Sequence, residues 1–319
     1  MSARLCILLA ILVAGCDRGP FTEPLLLGGR TYPAAQLNRG YHLYRQSCRA
    51  CHGDAGDGHG TSAQGLWPPP RDLSQGLYKF GRVPAPGLPP DAELARILRS
   101  GLNGTPMLPW AISDPDLDAL LGYVKSLSPR WRTDTVGEAV TAGPDPYATL
   151  TGDALLAVVE RGEVLYHGKA MCSSCHPAYV SRARLFEITK QNGAPTTDYT
   201  PAMYGSRIKD TEYCWRWHTP QTPEPSCDEV VRSIPPDFTH DPLRAIRPAT
   251  VTRDLYLTLA AGISGAGMPP WKGVFSDEEL WSLAWYVRSL AMLQGTPEGE
   301  ALRLRLHAPD NIGWHAPTR

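Results

Sequence analysis

The sequence predicts a largely helical protein built as a tandem duplication, on three observations. The pentamer Cys48-Arg49-Ala50-Cys51-His52 returns as Cys172-Ser173-Ser174-Cys175-His176. Apolar residues at helical spacing flank both copies. A second pair of segments also recurs: Gly101-Leu102-Asn103-Gly104-Thr105-Pro106-Met107-Leu108-Pro109-Trp110 matches Gly262-Ile263-Ser264-Gly265-Ala266-Gly267-Met268-Pro269-Pro270-Trp271 at a constant offset. The 319-residue length suits two domains. A net charge of −1 without any basic run argues against a nucleic-acid partner. The 31 Pro and 30 Gly point to much irregular backbone, and nine Trp suit either flat apolar cofactor pockets or buried core.

The pentamer carries the chemistry. Two thiols three positions apart, followed at once by an imidazole, form a covalent attachment site for c-type haem. Each thiol adds to one porphyrin vinyl group, and the adjacent histidine is held beneath the ring to bind iron through Nε2. A zinc ribbon would place its two Cys pairs about 15–20 residues apart in one small domain, whereas these pairs start at Cys48 and Cys172. A thioredoxin-like redox pair would need a βαβ context, and helical patterns surround both sites. The expectation is therefore two covalently bound c-type haems, attached at Cys48 and Cys51 and at Cys172 and Cys175. Their iron is held by His52 and His176.

In chain order, residues 1–15 read as a leader. Arg4 supplies the positive end and Leu5 to Val13 a short apolar run. Val13-Ala14-Gly15-Cys16 resembles the bacterial lipobox, which implies lipidation of Cys16 and an anchor on the periplasmic side of the bacterial inner membrane. Residues 16–34 read as a tether. The first domain spans 35–131: a helix with Leu37, Gly40, Tyr41 and Tyr44, the first motif, and a glycine-rich loop. A helix from about Asp91, the Met107 loop and a final helix through Leu117 to Leu127 follow, with Ser113 and Asp116 as a capping pair. Arg71, Lys79 and Arg82 are candidates to pair with haem propionates. Residues 132–151 read as a linker and 152–293 as the second domain. There Gly162 and Tyr166 repeat Gly40 and Tyr44, Ser276 to Glu279 is a capping box, and Tyr286 to Leu290 echoes Tyr123 to Leu127. Residues 294–319 read as a loosely ordered tail.

The halves differ in one place. His52 and Met107 are much closer in sequence than His176 and Met268, so the second half carries a loop-rich insertion within 177–250. It holds Cys214 and Cys227, and two leftover cysteines in an exported protein are expected to form a disulfide. His/Met ligation suits electron transfer, and Met107 and Met268, at matching places in the repeat, are the candidate sixth ligands. Met203, His218 and His240 are rivals in the second half. His42, His59 and His167 read as surface or packing residues.

With both motifs, the Met loops and the terminal helices in view, the chain resembles tandem class I cytochromes c over about 35–131 and 152–293. The resemblance implies an all-α fold, each domain a small helical bundle around its haem. It also implies that the first and last helices cross at Gly40 with Tyr123 and at Gly162 with Tyr286. The function it implies is that of a dihaem electron carrier with no catalytic residues, working in a bacterial respiratory chain. Its redox partners would be a quinol-oxidising complex or dehydrogenase as donor and a terminal oxidase or other acceptor. A dihaem peroxidase is the enzymatic rival, requiring one haem without a strong sixth ligand. A fixed electron-transfer subunit of a larger complex shares the chemistry and differs in partners.

Overall fold

The structure, a computed structural model, describes residues 19–195, 200–206, 209–215 and 229–313, with 209–215, 229–232 and 312 as backbone. Strands β1 (Leu25–Leu27) and β2 (Arg30–Tyr32) pair antiparallel around Gly28 and Gly29, both at positive φ. Helix α1 (Ala34–Ser47) buries Leu37, Gly40 and Tyr44, a stripe at spacings of three and four. The single turn α2 (Arg49–His52) follows it. Helix α3 (Asp91–Ser100) has Asp91 and Glu93 in its first turn, where the helix dipole favours them, and stops at Gly101 with φ 63°. Helix α4 (Asp114–Ser126) is capped by Ser113, whose side chain accepts from Asp116 N, and α5 (Arg130–Thr133) is a single turn.

Helix α6 (Gly152–His167) opens the second half, and α7 (Arg182–Gln191) is capped by Ser181. Strands β3 (Lys209–Trp215) and β4 (Glu229–Ser233) pair antiparallel. Helix α8 (Val251–Ala261) stops at Gly262 with φ 68°, as α3 stops at Gly101. Helix α9 (Asp277–Ala291) starts in the expected capping box of Ser276 and Glu279. Helices α10 (Pro297–Leu306) and α11 (Pro309–Ile312) close the described chain. Among the described residues, no helix is long and apolar enough to cross a membrane.

The chain divides into two compact units, the first made of residues 1–76 and 111–136, the second of 77–110 and 137–319. In the first, α1 crosses α4 at Gly40, where a Cβ would fall 2.0 Å from the Ala119 carbonyl oxygen and 2.9 Å from Tyr123 Cβ. Only glycine permits that approach. Tyr41 and Tyr44 meet the Tyr123 ring there at 5.5 and 5.0 Å. The hairpin closes over the other end: Leu27 and Tyr32 are fully buried, and Gly28 N donates to the Trp131 carbonyl at 2.6 Å. The stretch expected to be a tether thus contributes core. Burying apolar side chains of that size stabilises by about 2 kcal/mol each.

The second unit repeats the crossing. Helix α6 meets α9 at Gly162, where a Cβ would lie 2.2 Å from the Ser282 carbonyl oxygen and 2.6 Å from Tyr286 Cβ. Around it Leu165, Tyr166, Leu257, Leu280, Leu283 and Tyr286 form the main core. The expected linker packs here rather than hanging free: Val140, Ala142 and Tyr147 cover this core, and Trp285 Nε1 donates to the Asp145 carboxylate. Within the expected loose tail, Pro297–Leu306 and Pro309–Ile312 are helical. Leu302 and Leu306 of α10 join Ala178, Val180, Leu185, Met203 and Tyr204 in a second, smaller core. Segment 77–110 is held in this unit by a buried charge cluster. Arg82 bonds Asp254, which is fully buried, and lies 3.7 Å from Glu93 of α3. Arg247 and Thr250 complete the shell of Asp254.

Candidate haem-binding sites

Cys48 ends α1, its N–H donating to the Tyr44 carbonyl, and α2 then carries Cys51 and His52. Both thiols are unpaired and half-buried. His52 Nδ1 lies 2.9 Å from the Arg71 carbonyl oxygen, which can only accept, so Nδ1 holds the ring proton and Nε2 is left with its lone pair. Burial pushes the ring's pKa down, keeping it neutral, the form that binds a metal. Burial, with Cys51 beside it, pushes the Cys48 thiol up to about 11. Among the described residues no three His, Cys, Asp or Glu side chains gather as a metal-holding group. The loop that returns to His52 is pinned by its own side chains. Asp72, 1% exposed, accepts from Ser74 N at 2.9 Å, from Ser74 Oγ, and from Gln75 Nε2 at 2.8 Å. Tyr44 OH donates to the Gly53 carbonyl at 2.7 Å.

The second motif is built to the same plan. Met171 turns the chain at φ 48°, and Cys172–Ser174 form a short 3-10 turn. Cys172 and Cys175 are unpaired, and burial pushes the Cys172 thiol up to about 12, with Cys175 contributing. His176 Nδ1 donates to the Pro236 carbonyl at 3.0 Å, again leaving Nε2 bare, and burial lowers this ring's pKa also. Tyr166 OH donates to the Pro177 carbonyl at 2.9 Å, as Tyr44 does to Gly53. Asp237 accepts from Thr239 N at 2.9 Å and Thr239 Oγ1 at 2.8 Å, as Asp72 does from Ser74. The ring of Phe238 stacks on His176 at 4.6 Å. Two unpaired thiols one turn apart and a histidine with a bare Nε2 form the donor set a c-type haem requires, at both sites.

Sequence reasoning missed the carbonyls of Arg71 and Pro236. Their signal was present as Arg71-Asp72-Leu73-Ser74 and Pro236-Asp237-Phe238-Thr239, an Asp followed two places on by a hydroxyl residue. Aligning these turns puts the extra residues of the second half between Pro177 and Pro235.

The two Met loops share their backbone bonds. Leu102 N donates to the Met107 carbonyl at 2.8 Å and Ile263 N to the Met268 carbonyl at 3.0 Å. Trp110 N donates to Leu98 and Trp271 N to Leu259, at 3.0 and 3.1 Å. A Cβ at Gly101 would lie 2.7 Å from the Met107 oxygen, and one at Gly262 2.6 Å from the Met268 oxygen. Both methionines are half-buried. Met203 is taken up in the smaller core, while Met171 and Met292 are exposed. Met268 shares a compact unit with His176, whereas the Met107 segment belongs to the second unit and His52 to the first. Arg82, read as a propionate partner, is committed to Asp254 instead. His167 is a packing residue, 2% exposed, donating from Nδ1 to the Glu163 carbonyl. Cys16, Cys227 and His218 lie outside the described residues, and Cys214 is placed only as backbone on β3.

Residues 35–124 match the family model of cytochrome c oxidase, cbb3-type, subunit III. The chain carries a cytochrome c domain. That domain implies a covalently bound c-type haem with its iron, and electron transfer as its chemistry. The match ends before Cys172, so the second site stands on its own residues. Among solved structures, a chain of the reducing HAO-like protein complex of Kuenenia stuttgartiensis is similar in fold. Its TM-score is 0.59 at 24% identity, over 79% of this chain and 95% of that one.

Proposed function

We propose that this chain is a dihaem c-type cytochrome of two tandem domains, carrying electrons in a bacterial respiratory chain. The observation that carries the reading is the recurrence around His176 of the arrangement around His52, together with the matching Met loops. Cys48, Cys51 and His52 hold the first haem, with Met107 as its sixth ligand. Cys172, Cys175 and His176 hold the second, with Met268. When bound, each haem supplies a one-electron Fe(III)/Fe(II) couple. The residues around it keep that couple's surroundings constant: each imidazole is locked in one tautomer by a backbone carbonyl, and each thioether stays uncharged in both states.

The leader supports export and lipidation at Cys16, which would tether the protein to the periplasmic side of the inner membrane. A Cys214–Cys227 disulfide would close the insertion. Donor and acceptor are redox proteins, a quinol-oxidising complex or dehydrogenase on one side and a terminal oxidase or similar acceptor on the other. A second reading, a fixed subunit of a larger complex, is favoured by one observation: the similar solved chain belongs to a protein complex. Gentle detergent extraction separates the two, giving either a lone chain or one with a stable companion.

The deciding experiment is a haem count by intact mass with an oxidised absorption spectrum. Two haems and a far-red sulfur-to-iron band sized for two, unmoved by brief exposure to cyanide, are expected. Met107→Ala and Met268→Ala should each remove half of that band. One high-spin haem that binds cyanide at once would overturn the carrier reading in favour of a peroxidase.

A further inference from the structure

The proximal histidines receive the same hydrogen bond by unequal routes. The carbonyl that reaches His52 comes 19 residues later, and the one that reaches His176 comes 60 residues later. The second turn is fastened by side chains from outside it. Tyr179 OH donates to Asp237 Oδ1 at 3.1 Å and accepts from Phe238 N at 2.7 Å. Tyr179 is 6% exposed, and its own N–H donates at 3.2 Å to Nε2 of His167, which is in turn bonded to α6. From beyond the end of α9, Gln294 Nε2 donates to the carbonyls of Phe238, at 3.0 Å, and Asp241, at 2.8 Å. At the place of Tyr179, three residues past the motif histidine, the first half has Ala55, which has no group to do this.

We propose that Tyr179 and Gln294 are positioning residues for the proximal ligand of the second haem, holding the 236–241 turn so that the Pro236 carbonyl stays on His176 Nδ1. The inference rests on the reading of His176 as a haem ligand. A carbonyl on Nδ1–H makes the imidazole a stronger donor, which favours Fe(III) and lowers the potential. Releasing the turn weakens that bond and raises the potential of the second haem alone. The first haem, pinned by Asp72 and Ser74 within its own loop, is the control inside the same molecule.

The test uses the full-length, haem-loaded protein and its Tyr179→Phe and Gln294→Ala variants. Intact mass counts the haems, and a spectroelectrochemical titration resolves their midpoints. Either variant should raise one midpoint and leave the other in place, the larger shift coming from Tyr179→Phe. The His176 Nδ1 proton should also exchange with solvent several-fold faster in the ferrous protein. Two haems with both midpoints unmoved would overturn the inference and leave the dihaem reading standing, as would equal shifts at both. A mass showing haem only at Cys48 and Cys51 would overturn both together.

Discussion

The two motif loops solve one problem at different lengths. In the first half the chain leaves His52, turns at Asp72 and brings a carbonyl back within 19 residues. In the second it returns after 60. Closing the longer loop costs about 1 kcal/mol more in chain entropy, since each doubling of length adds about 0.6 kcal/mol. That is a modest cost, and it shows why an insertion is tolerated there. The geometry of the return is another matter, because a long excursion does not by itself aim one carbonyl at one nitrogen. Tyr179, His167 and Gln294 supply the aim in the second half.

The largest test of this contrast concerns the paired helices α3 and α8. Glu93 and Asp254 hold corresponding places on them, and Arg82 reaches both. Asp254 is fully buried and also serves Arg247 and Thr250, while Glu93 bonds Arg96 at 2.8 Å. Asp254→Ala would leave the Arg82 charge buried without its main partner and should cost about 4 kcal/mol. Glu93→Ala leaves Arg82 on Asp254 and should cost less than half as much. Urea unfolding of the two variants decides it, and equal losses would break the ranking.

Next come the helix crossings, where the halves should behave alike. Gly40→Ala and Gly162→Ala each drive a methyl into a backbone carbonyl, at 2.0 and 2.2 Å. Overpacking costs up to about 3 kcal/mol and better helix propensity returns about 1 kcal/mol, so a net loss of about 2 kcal/mol is expected at both. Thermal melts of each variant, with the haem yield at each motif, would show it. A marked inequality would mean that the two crossings are not equivalent.

Much of this was legible in sequence, and the reason is locality. The motifs and the recurring Gly101 and Gly262 loops act within a turn or two, so their spacing announces them, while the crossing at Gly40 and Gly162 was legible through the family resemblance. The hairpin at 25–32 offered one cue, the turn-forming Gly28-Gly29, but its three-residue strands, the first of them all leucine, let it pass for tether. The carbonyls on His52 and His176 were only half legible: the Asp-x-Ser and Asp-x-Thr turns that carry them are in the sequence, but the carbonyls are backbone atoms of unlike residues, Arg71 and Pro236, and nothing local says which nitrogen they meet. Arg82 was misread for a similar reason: its partner Asp254 is 172 residues away. Local pattern says nothing about such a contact.

A pH-dependent difference follows from His167, whose aligned position in the first half, with Tyr44 matched to Tyr166, is Arg45. Burial pushes its pKa down to about 4, with the Glu163 carbonyl opposing and Arg184 adding to the effect. The rings of Tyr166 and Tyr286 pack on it. In the unfolded chain the ring takes up its proton near pH 6.5, so unfolding binds a proton between those two values. Stability is full above about pH 6.5 and falls as the pH drops toward 4, by about 2 kcal/mol between pH 7 and pH 5. His167→Gln should flatten that slope. Urea midpoints at the two pH values are the measurement, and an unchanged slope in the variant would remove His167 as its source.

The smallest expected difference lies at the starts of the last helices, α4 and α9. Ser276 and Glu279 cap each other reciprocally: Glu279 N donates to Ser276 Oγ at 3.1 Å, and Ser276 N to Glu279 Oε2 at 2.8 Å. At Ser113 the exchange is one-sided. Asp116 N reaches Ser113 Oγ at 3.4 Å, but the Asp116 carboxylate is engaged by Arg39 and by the Ser113 hydroxyl rather than by the Ser113 N–H. Ser276→Ala therefore removes one half of a working pair and weakens the other, at a cost of about 1 kcal/mol, against about 0.5 kcal/mol for Ser113→Ala. Melting temperatures of the two variants should fall in that order. The reverse order would mean that the Arg39–Asp116 pair, by tying α4 to α1, makes the first cap the more important of the two.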